Sequence, residues 1–364
     1  MTEYSCDNCK KSFTQKSRYD AHKNRKRPCK QGTSLEESPT KEANEVVVPA
    51  APHVSGVVAE TLKPVLKWVG GKTQILENVL SLFPTEIKNY HEPFLGGGSV
   101  LLGLLSRIKS GAIKLSGRIY ASDLNANLIG LYQTIQSRPV ELIAEGKRLV
   151  EEYRRITGTE VNRKPTTLQE ATTSPESYYF WIRSTFNNLS KEDRATPAAA
   201  AMLLFLNKTC FRGLYREGPN GFNVPYGNYR NPSILEEEHI MAVSEAIKDV
   251  VFAVAPYTES LKRVQDGDFV YLDPPYAPET GTSFVGYTSD GFALEEHNTL
   301  FKSCHAMQDK NIRFLMSNAD VTLVKESFPV PTYSSTIISC RRAIHAKNPE
   351  SKTNELLITN DLPN

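Results

Sequence analysis

From about residue 65 to residue 360, short apolar runs alternate with longer stretches in which apolar side chains recur every three or four positions. The short runs predict strands: "GRIYASD" at 117–123, "DFVYLD" at 268–273, "NIRFLMS" at 311–317 and "NELLITN" at 354–360. "GGSVLLGLLSRIK" and "LNANLIGLYQTIQ" predict the helices that follow the first two strands. Strand and helix in alternation imply an α/β domain, with a mostly parallel sheet covered by helices. Between about 137 and 265 the strand rhythm gives way to helical and irregular sequence, so an inserted subdomain is expected there. Upstream, residues 32–62 are rich in Pro, Ser and Glu, carry little that could form a core, and predict a disordered linker. Residues 1–31 form a third regime, rich in Cys, Lys and Arg, and the main domain is expected over 63–364.

Composition narrows the class. At 364 residues with 40% hydrophobic side chains, the chain can bury a large core with an appendage beside it. Forty-three Lys and Arg against 41 Asp and Glu leave no global basic field, so a nucleic-acid partner would have to be met by local clusters. No apolar run approaches the roughly 20 residues of a membrane span, and the start "MTEYSCDNCKKSF" lacks the apolar core of a signal peptide. An intracellular protein without a membrane partner is expected. Three of the six cysteines (Cys6, Cys9, Cys29) crowd into the first thirty residues, which in a reducing compartment favours metal binding over disulfides.

Three stretches carry candidate chemistry. In "YHEPFLGGGSVLLGLL" the glycines 96, 97 and 98 stand between an apolar segment and a helix, where backbone can approach a ligand closely. A tight strand-to-helix connection explains the same glycines. "YASDLNANLIGLY" ends a strand on Asp123, which either caps the next helix or accepts hydrogen bonds from ribose hydroxyls. Most pointed is "DFVYLDPPYAP", an apolar strand that stops at Asp273, Pro274, Pro275 and Tyr276. At the carboxyl edge of a parallel sheet these residues offer a carboxylate, carbonyls freed from the ladder and an aromatic face. Such a set suits a planar base bearing an amino group: Asp273 and a proline carbonyl accept the two amino hydrogens while Tyr276 stacks on the ring.

With these residues in place, the chain resembles the Dam-type DNA adenine-N6 methyltransferases from about residue 65 to residue 360. "LKWVGGK" is similar to the N-terminal cofactor motif, "EPFLGGGS" to the methionine-binding loop, "SDLN" to the ribose acid and "YLDPPYAP" to the catalytic loop. "NKTCFRGLYREGPNGFNVPYGNYRNP" resembles the target-reading hairpin, and "SFVGYTSDGFALEEH" and "RRAIHAKNPESKTNELLITN" resemble later family blocks. The resemblance implies a seven-stranded, largely parallel sheet that binds S-adenosylmethionine, with a helical target-recognition subdomain inserted before the catalytic strand. It makes Trp68, Lys72, Phe94, Gly96, Asp123 and Asp273 cofactor contacts, and Asp273, Pro274, Pro275 and Tyr276 the catalytic group. It implies double-stranded DNA as partner, read by Lys67, Leu214, Arg216, Pro225 and Tyr229, with Phe211 as a wedge into the gap left by a flipped base. A core aromatic is the alternative for Phe211, and its polar neighbourhood speaks against it. Such proteins commonly read GATC. Arg212, also placed at the DNA, stands where many relatives carry asparagine, and the run from "GLYR" to "FNVP" is one residue shorter than the family pattern. A monomer is expected, and a companion restriction endonuclease is a partner such enzymes can have.

At the other end, Cys6-x2-Cys9-x12-His22-x6-Cys29 is close to the spacing of a small zinc finger, with Phe13 and Tyr19 at apolar positions. Sulfur and imidazole ligands so spaced suit tetrahedral Zn2+, which would supply the folding energy a short segment lacks. It resembles C2H2-type fingers with a terminal cysteine, similar to those of large DNA viruses, in whose case the protein would work in the host cytoplasm or nucleus. A basic tail with incidental cysteines is the alternative.

Overall fold

The computed structural model describes residues 4–6, 12–13, 16–23, 61–278, 292–341 and 352–361. The chain divides into two units, Met1–Gly56 and Val57–Asn364. In the first, the strands Tyr4–Ser5 and Ser12–Phe13 pair antiparallel and the helix Lys16–Lys23 follows. Tyr4 stacks on Tyr19 of that helix at 5.9 Å, and both Cys6 and His22 are buried. Cys9, Cys29 and the stretch 24–60 lie outside the described residues.

The second unit is built on seven strands: β1 (Tyr90–Glu92), β2 (Ile119–Asp123), β3 (Val250–Val254), β4 (Phe269–Leu272), β5 (Arg313–Ala319), β6 (Ser334–Arg341) and β7 (Lys352–Thr359). They lie side by side in the order β3-β2-β1-β4-β5-β7-β6. Neighbours from β3 to β5 run parallel, and β7 alone runs antiparallel to both strands beside it. Because successive side chains alternate between faces, β4 contributes Phe269 and Tyr271 to one core and Val270 and Leu272 to the other. All four are essentially inaccessible, which explains why this strand reads as an unbroken apolar run rather than an alternation.

The longer helices are α1 (Ser99–Lys109), α2 (Ala126–Ser137), α3 (Pro139–Arg154), α4 (Pro175–Asn187), α5 (Pro197–Thr209), α6 (Glu237–Ala246) and α7 (Leu294–Asp309). Helices α3, α4 and α5 each begin with proline, whose fixed φ and missing N–H suit a first turn. The caps Asn125, Ser174 and Thr196 each accept a backbone N–H at the start of α2, α4 and α5. Helix α5 is buried on nearly every side, from Ala199 through Asn207, and α3 and α4 pack against it. It is therefore the core of the helical insertion, and its last turn delivers the chain into the segment that begins at Cys210.

Two strands lie where patterning gives none, and β1 stands where it gives only an apolar segment before the glycine run. Val250–Val254 falls inside the stretch 137–265, which the sequence presents as strand-free, so the insertion ends before β3 rather than running on to the catalytic strand. Its "VVFAV" follows a helix directly and lacks polar alternation, so apolarity alone does not separate it from helix. Ser334–Arg341 is an edge strand of mixed polarity, and its pairing with β7 rather than its own pattern marks it.

Candidate active site

Three acids stand at or just past neighbouring strand ends: Glu92 on β1, Asp123 on β2 and Asp273 after β4. Each is shaped by a different local device. Past β1 the chain turns through Gly96 (φ 50°) and Gly98 (φ 70°), left-handed conformations that favour glycine. Gly98 then opens α1, and a Cβ there would lie 2.5 Å from Tyr132 Oη, which itself donates to the Gly97 carbonyl. The Gly96 N–H donates to Asp123 Oδ2 at 3.0 Å and the Asn125 N–H to Asp123 Oδ1 at 2.9 Å. Burial nevertheless pushes the Asp123 carboxyl up, against the pull of those two bonds. Asp123 thus ties the glycine turn to the second strand end, while Asn125, not Asp123, caps α2.

Lys72 is 2% exposed, and its ammonium pairs with Asp273 Oδ2 at 2.7 Å and donates to the Gly70 carbonyl at 2.8 Å. The same ammonium lies 5.1 Å from the centre of the Tyr276 ring. Burial raises the Asp273 carboxyl to about 6, the lysine opposes the shift and Glu355 on β7 adds to it. Glu92 is pushed further, to about 8, by burial first, with Asp273 and Asp123 adding their repulsion and the hydrogen bond from Tyr90 Oη (2.7 Å) opposing. Of these two, Glu92 is therefore held more strongly in its neutral form, and Asp273, with the ammonium beside it, ionises the more readily. On the far side of Asp273, the Asn318 side-chain carbonyl accepts the Ala277 N–H at 3.0 Å and so braces the loop just past Tyr276.

Trp68, Gly70, Glu92, Gly96, Tyr271 and Asp273 line one crevice. Phe94 does not join them: its ring stacks on Tyr257 at 5.3 Å and meets Phe292 edge-on, in the cluster on the other face of the sheet. Pro274 and Pro275 follow β4 out of the ladder beside Tyr276, whose hydroxyl is buried without a hydrogen-bond partner among the described residues.

The segment 207–229 forms a second group beside this crevice. Glu217 pairs with Phe222 and Gly218 with Gly221 in a two-stranded hairpin. Phe211 is 45% exposed, its N–H held by the Pro225 carbonyl at 2.8 Å, which argues against a core role. Arg212 adopts φ 59°, uncommon for its type, and its N–H donates to Tyr229 Oη at 2.7 Å. The Lys67 ammonium lies over the Tyr229 ring at 5.6 Å, and Leu214 packs against the core. Arg216 is exposed, and its guanidinium donates to the Asn223 side-chain oxygen at 2.5 Å and the Asn223 carbonyl at 3.3 Å. Sequence reading missed Glu92, Tyr90, Asn207, Tyr215 and Asn318. All but Asn318 carried a signal, each as one letter of a motif quoted for its neighbours.

Among the described residues no group of three or more His, Cys, Asp or Glu could hold a metal ion, and two of the four candidate zinc ligands lie outside that set. No helix among them is long and apolar enough to cross a membrane.

Residues 68–339 match the family model described as "D12 class N6 adenine-specific DNA methyltransferase". The type II methyltransferase M.MjaIII of Methanocaldococcus jannaschii is 35% identical over 265 residues, covering 71% of this chain and 84% of that protein. M1.LlaDCHI of Lactococcus lactis subsp. cremoris is 30% identical over 82% of this chain and 95% of its own length. The DNA adenine methylase of Escherichia coli K12 is 29% identical over 80% of this chain and 93% of its own. The solved rRNA methyltransferase aviRa of Streptomyces viridochromogenes matches 81% of this chain and 88% of that one at 15% identity, with a TM-score of 0.31, too low to bear on the assignment. The crevice at the strand ends thus lies inside a matched region that spans most of the chain, and the protein belongs to the D12 class of N6 adenine-specific DNA methyltransferases.

Proposed function

We propose that this adenine-specific DNA methyltransferase takes its methyl group from S-adenosylmethionine and transfers it to adenine N6 within GATC in duplex DNA, on a base flipped out of the stack. The observation that carries the chemistry is the Asp273 carboxylate, held 2.7 Å from Lys72 at the end of β4 with Tyr276 over the same ammonium. The residues fit the cofactor: Gly96 and Gly97 leave room beside Trp68 that a Cβ would fill at 3.3 and 2.9 Å, and Asp123 places a carboxyl group at the neighbouring strand end. Trp68, Lys72, Gly96 and Asp123 would hold it, with Phe94 swinging from its stack on Tyr257 if it too makes contact. When bound, that group supplies an electrophilic sulfonium methyl.

The chain's own residues then do the rest. Asp273 and the Pro274 carbonyl accept the two N6 hydrogens, which turns the nitrogen lone pair out of the ring plane, and Tyr276 stacks on the extruded base. Positive charge growing on N6 is met by the carboxylate already in place, so little reorganisation is needed, and the proton that N6 must shed on gaining the methyl passes to Asp273. Phe211 would fill the gap left in the duplex, with Lys67, Arg212, Leu214, Arg216, Pro225 and Tyr229 as the proposed DNA contacts. The donors of Lys67 and Arg216 suit the acceptor edge of guanine. Single-base methylation mapping of DNA from cells expressing the protein tests the reading: N6-methyladenine confined to GATC is expected, and any other sequence overturns the specificity.

The first unit supports a zinc finger through its two short strands, its helix, and the buried thiol and imidazole of Cys6 and His22. With Cys9 and Cys29 these would complete a tetrahedral set. One zinc per chain by metal analysis, lost on Cys6→Ser, is the expected result.

A further inference from the structure

We infer that Asn207 is a positioning residue that couples cofactor binding to base reading, by fastening the segment that carries Lys67 and Trp68 to the target-reading hairpin. The inference rests on the functional reading above, in which Trp68 faces the cofactor and the hairpin faces DNA.

Asn207 sits in the last turn of α5, 1% exposed. Its side-chain oxygen accepts the Lys67 N–H at 2.9 Å, while its amide nitrogen donates to the Lys67 carbonyl at 2.8 Å and to the Gly213 carbonyl at 3.1 Å. The amide therefore imitates a strand partner for Lys67 on one side and grips the hairpin segment on the other. No other side chain with the reach of asparagine offers both an acceptor and two donors from one planar group. A second bond between the same two segments lies beside it. The Trp68 ring stacks on Tyr215 at 4.9 Å, and the Tyr215 hydroxyl accepts from Asn127 of α2 at 2.9 Å. Close fit completes the joint: Gly213 (φ 64°) lies so near Lys67 that a Cβ would meet the Lys67 Cβ at 2.6 Å.

Lys67 and Trp68 are consecutive, one aimed at the base-reading side and the next at the cofactor side. Two hydrogen bonds from Asn207 hold the Lys67 backbone and a third, buried one holds Gly213, so ordering Lys67 and Trp68 favours ordering the hairpin. A ligand that orders one side then lowers the cost of ordering the other, and this coupling is reciprocal by linkage.

The test is a pair of binding measurements on the full-length protein. The affinity of S-adenosylhomocysteine is measured calorimetrically with and without a short duplex bearing the mapped methylation site, and the duplex affinity with and without S-adenosylhomocysteine. Wild type should show the same enhancement both ways, about fivefold or more. Asn207→Asp keeps the acceptor for the Lys67 N–H and loses both donors, and should bring the factor towards one. Tyr215→Leu removes the ring stack from the other side and should do the same, whereas Tyr215→Phe keeps the stack and should retain most of the coupling. Should Asn207→Asp fail to fold, the two Tyr215 variants decide. A factor of one in wild type overturns the inference, as does a uniform loss of both affinities with an unchanged factor, the signature of a merely structural residue. Failure of wild type to bind either ligand would instead overturn the functional reading beneath it.

Discussion

Asp273 is pulled two ways, and the balance sets when the site can work. Dehydration at the end of β4 favours its neutral form, the ammonium 2.7 Å away favours the charged one, and the outcome is about 6. Only the carboxylate accepts both an amino hydrogen and the growing charge. Activity on limiting DNA should therefore be full above that value and fall about tenfold for each pH unit below it. Lys72→Met withdraws the downward pull, so the acid limb of kcat/KM should move to higher pH whatever the loss in height; an unmoved limb would assign it to another group. Asp273→Ala should abolish transfer while leaving the fold intact, as near-normal melting beside absent turnover would show. Glu92 carries the opposite lesson. Its carboxyl, raised from 4.5 to about 8, favours folding at acid pH, and that contribution is lost as pH rises from the unfolded value through the folded one. Glu92→Gln keeps the acceptor for Tyr90 Oη and should melt like wild type near pH 4.5, then gain on it by roughly 1 kcal/mol per pH unit as pH rises. An advantage that does not grow with pH would mean that Glu92 is ionised in the folded protein. Asp273 was legible in the sequence because a proline pair ends its strand; the charge state of Glu92 was not, since it depends on burial first and on two further acids second, both of which arise only when β2, β1 and β4 lie side by side.

The elements show where local sequence suffices and where it fails. A strand buried on both faces and cut by proline, as β4 is, and a helix opened by Asn125, as α2 is, announce themselves within a few residues. The edge strands β3 and β6 do not: the wholly apolar β3 cannot be told from helix by its own pattern, the mixed polarity of β6 blurs it, and only their neighbours define them. The same holds for the hairpin. Its turn residues mark it, yet the grip of Asn207 on Lys67 spans 140 positions. Between the two extremes stands the turn at Gly98. Its φ of 70° and the 2.5 Å approach to Tyr132 leave no space for a methyl group. Gly98→Ala should cost about 1 to 3 kcal/mol, by backbone strain and by pushing Tyr132 off the Gly97 carbonyl. Chemical denaturation measures it, and a neutral result would show that the turn can relax without its neighbours.

At the scale of the whole molecule, the question is what residues 1–31 add to a unit that itself carries the crevice and the hairpin. The family match begins at residue 68, so conversion of adenine is already accounted for downstream. A near-neutral chain gains little long-range attraction to DNA from its overall charge, whereas Lys16, Arg18 and the run from Lys23 to Arg27 bring local charge suited to phosphates. A random coil with the length of the intervening stretch 32–62 would span roughly 30 Å, enough for a tethered module to touch the same duplex without a fixed orientation. Such tethering raises effective concentration but transmits no geometry to the site. Deleting residues 1–31 should therefore weaken DNA binding and lower kcat/KM at low DNA concentration, most strongly at low salt, while the methylated sequence stays the same. Binding titrations over a salt series and methylation mapping of the truncated protein check both halves. A changed sequence would mean that the N-terminal module reads bases in register with the hairpin, and unchanged binding would assign it to a protein partner instead.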